Sequence, residues 1–324
     1  MKDTIVSGIR ATGKLHIGNY LGALRQFVNL QNEDKITGYF FIADLHALST
    51  PFEPKELTEN TYDVVAEYLA AGIDPKKSIF FLQNQVQEHA ELAWIFNCIT
   101  PLGELERMTQ FKDKSKQHKT SINAGLLTYP ALMAADILLY KPTAVPVGDD
   151  QVQHIELTRT IARKFNSRFG KTFPEPRPYE TKPLRILSLK DPNKKMSKTG
   201  DDPLYLSDSP DEIMKKMKKA VTATEGQDHS PGTDNLFVLL DHFGTDEQNK
   251  YFVNQRDSNS LKFSELKETL ARNIAQNFDS FIDKKQKLLT DRKHLDELLA
   301  EGAAKARKAA QLTLNEVKGK IGLV

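Results

Sequence analysis

The chain of 324 residues is short of several features, and each shortage excludes a class of protein. It has one cysteine, Cys98, which excludes an internal disulfide and a metal cluster built on cysteine. No apolar run approaches the roughly 20 residues that cross a membrane, and the first residues lack the basic-then-apolar pattern of a signal peptide. The sequence therefore predicts a globular cytoplasmic protein with no membrane span.

An excess of charge of one sign is also missing. The 45 lysines and arginines nearly balance the 43 aspartates and glutamates, and the net charge of +2 does not by itself predict a nucleic-acid-binding protein. Any contact with RNA would have to use local basic patches, and lysines cluster at 112–119, 194–198, 215–219 and 305–320. For each single cluster, a solvated helix face or loop is the favoured interpretation.

The first twenty residues predict a strand, a loop and a helix. The run 5–7 is β-prone, residues 8–14 form a glycine-bounded loop, and a helical pattern begins near Leu15. Such a unit commonly holds a phosphate, because N–H groups of the loop and of the helix N-terminus point at the anion. The loop matches most of a P-loop, but Leu15 stands where a P-loop needs Ser or Thr to ligate Mg²⁺.

Apolar runs alternate with helical patterns along the first half of the chain. Near-continuous apolar runs are typical of strands covered on both faces, and they occur at 37–45, 77–83, 143–147 and 184–189. Amphipathic helical patterns occur at 19–31, 54–71 and 89–99. This order predicts an α/β fold with a doubly wound parallel sheet. We expect 184–189 to be its last strand and the proline-rich segment 174–182 to be a surface connector.

The sequence after Pro210 is mostly helical and has no constellation of catalytic residues. The predicted helices are 211–220, 235–242, 264–289 and 292–318. We therefore expect two domains, a doubly wound catalytic domain over 1–204, with a connective segment near 103–140, and a C-terminal α-helical domain over 205–324.

Polar residues at the predicted strand ends and within one apolar helix are the candidates for function. His46 follows the run 37–45, where open α/β sheets place their ligands. Residues 148–151 (Gly-Asp-Asp-Gln) follow another predicted strand, and carboxylates there suit ribose hydroxyls. Asp136 lies in the apolar helical segment 124–140, which we expect Pro130 to interrupt. A carboxylate there needs hydrogen-bond donors, and it is either bonded to a neighbouring backbone or arginine, or it reads a substrate.

Two motifs about 180 residues apart resemble the signatures of class I aminoacyl-tRNA synthetases. Residues 16–19 (His-Ile-Gly-Asn) resemble the HIGH motif. Residues 195–199 (Lys-Met-Ser-Lys-Thr) resemble the KMSKS loop, with Thr in place of the final Ser. Two lysines on a loop can neutralise a triphosphate while pentacoordinate phosphorus develops.

The segments 103–115, 127–140 and 145–159 extend the resemblance to tryptophanyl-tRNA synthetases of the bacterial type, over essentially the whole chain. The resemblance implies a Rossmann-like catalytic domain, a homodimer, and the substrates ATP, L-tryptophan and tRNA(Trp). It also implies Mg²⁺ that arrives with ATP and has no dedicated protein ligands. The sequence departs from the family at Arg10, Ala11 and Val6, where glutamine, proline and an aromatic residue are common.

The resemblance further implies roles for individual residues. The implied catalytic residues are His16, Asn19, Lys195 and Lys198. The implied ATP contacts are Arg10, Ala11, Thr12, Gly18, Asn19, Gly148, Asp149, Asp150, Ile186, Lys195, Met196, Ser197, Lys198 and Thr199. The implied tryptophan contacts are Val6, His46, Met133, Asp136, Ile137, Val145, Val147 and Gln151, with Asp136 accepting the indole N–H. A buried acceptor of this kind can reject phenylalanine, which lacks the donor, by roughly 10⁴–10⁵-fold.

Other functions stay open on the sequence. A tyrosine-specific synthetase shares both motifs, although its loop generally has Lys-Phe-Gly-Lys. A small-molecule nucleotidyltransferase shares the histidine-bearing loop, but it needs neither the lysine loop in this form nor the helical C-terminal region. An inactive binding protein of the same fold would be expected to lack some of His16, Asn19, Lys195 and Lys198, all of which are present. A P-loop NTPase is the least supported, because of Leu15.

Overall fold

A computed structural model describes most of the chain. The described residues are 3–11, 13–117, 122–148, 151–179, 184–197, 203–222 and 229–323. Five of the expected ATP contacts lie outside these residues, and their roles stay predictions: Thr12, Asp149, Asp150, Lys198 and Thr199.

A five-stranded parallel sheet in the order β3-β2-β1-β4-β5 is the centre of the fold. Its strands are β1 (Asp3–Arg10), β2 (Ile36–Ala43), β3 (Ile79–Leu82), β4 (Ala144–Val145) and β5 (Arg177–Pro178). The strands β1 and β2 pair along their whole length, from Asp3 with Ile36 to Arg10 with Ala43. Because the order runs outward from β1 in both directions, the sheet is doubly wound, and the predicted α/β class is confirmed.

Helices follow the strands and make up nearly all of the C-terminal part. The α-helices of the first half are α1 (Ile17–Asn19), α2 (Arg25–Gln31), α3 (Asp44–Ala47), α4 (Pro54–Ala70), α5 (Glu88–Ile99), α6 (Leu102–Glu106), α7 (Thr109–Gln117), α8 (Ala124–Leu138) and α9 (Val152–Phe169). Those of the second half are α10 (Pro210–Lys218), α11 (Pro231–Phe243), α12 (Asp246–Asp257), α13 (Phe263–Thr290) and α14 (Arg292–Ile321). A π-helical turn (Tyr20–Leu24) joins α1 to α2, and a 3₁₀ turn (Gln83–Gln85) follows β3. In the described part of the chain, no helix is both long and apolar enough to cross a membrane.

The two faces of the sheet belong to two separate hydrophobic cores. Phe40 and Ile42 of β2 lie in the core that includes residues of α2, α4, α11 and α13. Phe41 and Ala43 lie in the core that includes residues of α5, α8, α9 and α14. The alternation follows from the two-residue period of a strand, and burial of both faces explains the near-continuous apolar run at 37–45.

Three sequence predictions about local structure are wrong. Within the described residues, 184–189 adds no strand to the sheet, and its Leu187 forms an isolated antiparallel bridge with Lys195. The fifth strand is β5, inside the segment predicted to be a connector, and Pro178 is accepted because an edge strand needs hydrogen-bond partners on one side only. Pro130 does not interrupt α8, since it is buried with its neighbours and packing outweighs one missing main-chain hydrogen bond.

The last helix packs on the sheet of the N-terminal half. Apolar residues of α14, among them Ala306 and Leu314, share a core with Phe81 of β3. The helix also comes very close to the strand, because a Cβ on Gly302 would lie 1.8 Å from the carbonyl oxygen of Phe80. The expected domain division at 204/205 stays a prediction, but the contribution of α14 to the core of the sheet is a feature of the structure.

Candidate active site

The candidate site lies at the carboxyl ends of β1, β2 and β3. His16 lies between β1 and α1, His46 lies just after β2, and Gln83 follows β3 directly. Because adjacent parallel strands end at the same edge of a sheet, these side chains meet there. Two groups of residues can be distinguished at this edge.

The first group is the Asp136 cluster, which consists of His46, Gln83, His89 and Asp136. Asp136 is only 2% exposed. Gln83 Nε2 donates to its Oδ1 at 2.6 Å, where His89 Nδ1 also lies at 2.6 Å, and His46 Nε2 lies 2.7 Å from its Oδ2. Since an ionised carboxylate can only accept hydrogen bonds, both imidazoles donate to it. The partners of Asp136 are thus two imidazoles and an amide rather than the backbone or an arginine.

Asp136 is ionised in this environment. Burial alone would raise the pKa of Asp136, but the charge and hydrogen bond of His46, and then those of His89, outweigh burial and lower the pKa to about 2. Three donors occupy three of the about four lone-pair positions of a carboxylate. One position is left, and an indole N–H needs one.

Apolar side chains beside Asp136 form a small cluster of their own. Ile137 and Val145 are buried there, and Met133 and Val147 pack against them. Tyr129 lies on the same helix one turn before Met133, and its ring centre is 6.0 Å from that of His46. Burial raises the pKa of the Tyr129 hydroxyl to about 12, against the opposing charge of Arg10. The cluster has the composition of a slot for a flat apolar group with one polar edge.

Two predicted tryptophan contacts, Gln151 and Val6, are not members of this apolar cluster. Gln151 caps the start of α9, and its N–H donates to the carbonyl oxygen of Gly148 at 2.9 Å, so these two predicted residues are adjacent. Val6 instead belongs to the core cluster of Phe41 and Phe81, apart from the Met133 group. The expected role of Val6 in the pocket stays a prediction.

The second group is the phosphate-loop cluster, which consists of His16, Gly18, Asn19, Ile186 and Met196. A Cβ on Gly18 would lie 3.0 Å from the ring of His16 and 3.6 Å from Cβ of Ile186. Asn19 Oδ1 accepts the His16 N–H at 3.2 Å, and the Met196 N–H donates to the carbonyl oxygen of Ile186 at 2.9 Å. The HIGH-type motif and the KMSKS-type loop, distant in sequence, therefore meet through Ile186.

A hairpin over residues 186–196 presents the lysine loop. Its two arms are joined by the Ser188 N–H, which donates to the carbonyl oxygen of Lys194 at 2.8 Å, and by the bridge from Leu187 to Lys195. Asn235 of α11 bonds to both polar main-chain atoms of Leu187, at 2.8 and 3.1 Å. Lys195 is exposed at the end of this hairpin, and Ser197, the last described residue of the loop, is exposed as well.

Arg10 lies beside the Asp136 cluster. Its Nη2 donates to the carbonyl oxygen of His46 and to Thr50 Oγ1, both at 3.2 Å. Its buried Nε has no hydrogen-bond partner among the described residues, and burial lowers the pKa of the guanidinium. The neighbouring Ala11 is buried in the core with Leu15. The expected ATP contacts of Arg10 and Ala11 stay predictions.

Sequence reasoning missed three residues of this site, namely Gln83, His89 and Tyr129. Gln83 follows a predicted strand directly, so the rule that ligands bind at carboxyl ends of strands could have indicated it. Tyr129 shares a helix face with Met133 and Asp136, at spacings of four and seven residues, which the helical period could have shown. His89 had no comparable signal, because its partner Asp136 is 47 residues away in the chain.

Among the described residues, no group of His, Cys, Asp and Glu side chains is arranged to hold a metal ion. The expectation that Mg²⁺ arrives with ATP stays a prediction.

Comparisons with known proteins agree on one family. The model of the class I tRNA synthetases for tryptophan and tyrosine (W and Y) matches residues 2–301. The chain is 47% identical to a tryptophan–tRNA ligase of Caldanaerobacter subterraneus subsp. tengcongensis, over 99% of this chain and 98% of the relative. It is 44% identical to that of Clostridium tetani, over 100% of this chain and 96% of the relative.

A solved structure shows the same agreement. The tryptophanyl-tRNA synthetase from Campylobacter jejuni, crystallised with ADP and tryptophan, superposes with a TM-score of 0.88 at 34% identity, over 99% of this chain and 100% of that one. The resemblance seen in the two motifs is thereby confirmed over the full length. The chain belongs to the class I aminoacyl-tRNA synthetases, and within them to the tryptophan–tRNA ligases.

Proposed function

We propose that this chain activates L-tryptophan with ATP and transfers the tryptophanyl group to tRNA(Trp). The tryptophan carboxylate attacks the α-phosphorus of ATP, the bond to the β-phosphate breaks, and pyrophosphate leaves. A hydroxyl of the 3′-terminal adenosine of the tRNA then attacks the carbonyl carbon of tryptophanyl adenylate, and AMP leaves. Neither step needs a nucleophile from the protein, so the protein's contribution is positioning and charge neutralisation.

The observation that carries this proposal is the Asp136 cluster beside an apolar slot. Asp136 is buried and ionised, and its three donors leave one acceptor position for an indole N–H. A phenylalanine side chain would leave that position unpaired, which supports strong discrimination without an editing step. A tyrosine hydroxyl can donate as well, so the relatives' specificity is what favours tryptophan over tyrosine.

The phosphate-loop cluster is the proposed place of ATP. At Gly18 a Cβ would lie 3.0 Å from the His16 ring and 3.6 Å from Cβ of Ile186, so the missing side chain lets the nucleotide lie against the backbone there. The exposed Lys195 can reach the phosphates from the hairpin. We propose that His16, Lys195 and Lys198 neutralise the charge that develops on the triphosphate. Magnesium would enter with ATP, bound by phosphate oxygens and water, because Mg²⁺ keeps several of its waters.

The helical region 205–324 is the proposed anticodon-binding region for the tRNA. Lys215, Lys218 and Lys219 belong to α10 or its C-cap, and they can contact backbone phosphates. Lys216 is not available for such a contact, because its side chain is only 11% exposed and pairs with Asp208 at 2.7 Å. Lys218 also lies 3.7 Å from Glu268, but its side chain is 60% exposed. The proposed location is the cytoplasm, where tRNA and ATP are available.

A homodimer is proposed from an apolar groove near the Asp136 cluster. The groove has a volume of about 290 Å³ and is lined by residues of α3, α5 and α8. Two of the lining residues are large and exposed, Trp94 at 69% and Leu48 at 44%. A second copy of the chain would cover them. Sedimentation velocity should show a dimer for the native chain and a monomer for Trp94→Arg, and an unchanged dimer in the variant would contradict the assignment of this face.

Amino-acid-dependent ATP–pyrophosphate exchange tests the proposed activity. Tryptophan alone among the twenty amino acids should support fast exchange. Lys195→Ala should slow this exchange by at least about 100-fold, because removal of a transition-state donor costs that much, and it should leave the Kd for tryptophan unchanged. Lys194→Ala is the matched control, since Lys194 is exposed on the same hairpin and pairs with Asp191. Exchange with tyrosine, or with neither amino acid, would refute the proposal.

A further inference from the structure

The main chain of Leu15, directly before His16, is held at both of its polar atoms. Leu15 is fully buried. Its N–H donates to Glu67 Oε2 of α4 at 3.0 Å, and its carbonyl oxygen accepts the Leu206 N–H at 3.0 Å. The first of these bonds is unusual in kind, because a buried carboxylate is used to fix one loop amide.

A second helix keeps this carboxylate in place. Glu67 is 0% exposed, and its Oε1 accepts from Lys285 Nζ of α13 at 2.9 Å. Lys285 is itself only 5% exposed and also bonds to Asp63, at 2.8 Å. The three charges form one group that joins α4 and α13 to the loop, with Glu67 and Lys285 buried and Asp63 half-buried at its edge.

The helix α13 contacts the same motif at a second place. The ring of Phe278 meets the ring of Tyr20 edge-on, with ring centres 5.1 Å apart, in the π-helical turn just after Asn19. The HIGH-type motif is therefore supported on both sides by side chains that α13 contributes or holds. Stability alone does not explain the ion pair of Glu67 and Lys285, because an apolar pair of similar volume is often at least as stabilising as a buried salt bridge. What an apolar pair cannot do is accept the N–H of Leu15.

We propose that Glu67 is a positioning residue of the reaction: it fixes the main chain of Leu15 and thereby the place of His16, and Lys285 supplies the countercharge that lets a carboxylate occupy this buried position. The proposal rests on the proposed function, since it concerns the presentation of His16 to ATP. Glu67 itself touches neither substrate in this assignment.

Two double variants separate positioning from stability. In Glu67→Met/Lys285→Met the charges of residues 67 and 285 are removed, and no side-chain acceptor is left for the N–H of Leu15. In Glu67→Gln/Lys285→Met the charges are also removed, but the amide oxygen can still accept the N–H. Asp63→Asn is the control, because Asp63 contacts Lys285 without contacting the loop.

Three measurements are compared: kcat/KM for ATP in tryptophan-dependent exchange, the Kd for tryptophan, and hydrogen–deuterium exchange of a peptide over residues 13–20. We expect the Met/Met variant to lose about tenfold in kcat/KM, because the unpaired Leu15 amide regains a partner only by moving, and His16 moves with it. Its peptide should exchange faster, and its tryptophan Kd should not change. The Gln/Met variant and Asp63→Asn should stay near the native values in all three measurements.

Native kcat/KM and native protection of the peptide in the Met/Met variant would overturn the proposal, as would equal losses in the Met/Met and Gln/Met variants. A native chain without tryptophan-dependent exchange would instead refute the proposed function. The peptide comparison would then still decide whether Glu67 fixes Leu15, because hydrogen exchange does not depend on activity.

Discussion

Replacing Asp136 with asparagine tests the charge of the Asp136 cluster while keeping its size. The amide oxygen can accept one donor, but the NH₂ group must face a donor of His46, His89 or Gln83. Breaking a buried charged group in this way costs about 3–5 kcal/mol. We therefore expect Asp136→Asn to lower the free energy of unfolding at pH 7 by about 3 kcal/mol or more.

The pH dependence of this loss has a defined sign. The pKa of Asp136 falls from 3.8 to about 2 on folding. A group with a lowered folded pKa contributes stability that is present above its unfolded pKa and is lost as the pH falls toward the folded value. The two pKa values correspond to about 2 kcal/mol in total, of which about 1 kcal/mol is lost between pH 5 and pH 3.

Urea unfolding followed by far-UV circular dichroism measures this effect. The difference in stability between the native chain and Asp136→Asn should narrow by about 1 kcal/mol from pH 5 to pH 3, a window below the ordinary titration of histidine. Asp34→Asn, at an exposed position, serves as the control and should show no such narrowing. A difference that is constant over this window would refute the lowered pKa and the ionised state on which the proposed reading of indole depends.

The same variant tests the contact with the substrate. Asp136→Asn should weaken tryptophan binding in calorimetry by about 10–100-fold, the range for a hydrogen bond to a charged group. The analogue 1-methyltryptophan lacks the indole N–H, so both proteins should bind it equally weakly. A native chain that binds the analogue as well as tryptophan would contradict the role of Asp136.

Two further predictions concern packing and the hairpin. Gly302→Ala should destabilise the fold by about 3 kcal/mol in urea unfolding, because its Cβ would overlap the Phe80 carbonyl. Gly319→Ala is the control on the same helix, where a Cβ would meet nothing within 4 Å, and it should stabilise the fold by about 0.5 kcal/mol. Equal effects of the two substitutions would contradict the close approach of α14 to β3. Asn235→Ala should leave the main chain of Leu187 unpaired and lower kcat/KM for ATP about tenfold at unchanged tryptophan Kd, and an unchanged value would show that the hairpin does not need this support.

The sequence predicts the strands and helices whose buried residues form a long, regular pattern of apolar positions. The strands β1 to β3 were predicted because apolar runs flank a glycine loop and alternate with amphipathic helices. The run 143–147 also predicts a strand, and β4 lies inside it, although it is only two residues long. The strand β5 is two residues long as well, too short for any periodicity to identify. Pro178 also argued against a strand, since the sequence alone did not show that β5 lies at an edge.

The candidate site was predictable only in part, for a related reason. Asp136 was noticeable because a carboxylate interrupts an apolar run, whereas Glu67 lies in an amphipathic helix where a charge is ordinary. The partners of both residues come from elements far away in sequence, such as Lys285, which is 218 residues from Glu67. Such pairings are products of tertiary structure, and a single sequence carries no local trace of them.

The packing of α14 on β3 has a consequence during synthesis of the chain. β3 is an edge strand, and an uncovered edge is a template for pairing with another chain. It ends at Leu82, and α14 begins at Arg292, so about 210 residues leave the ribosome before the covering helix does. On a polysome, nascent chains therefore expose this edge close to one another, and each edge is covered only after the last helix has been made.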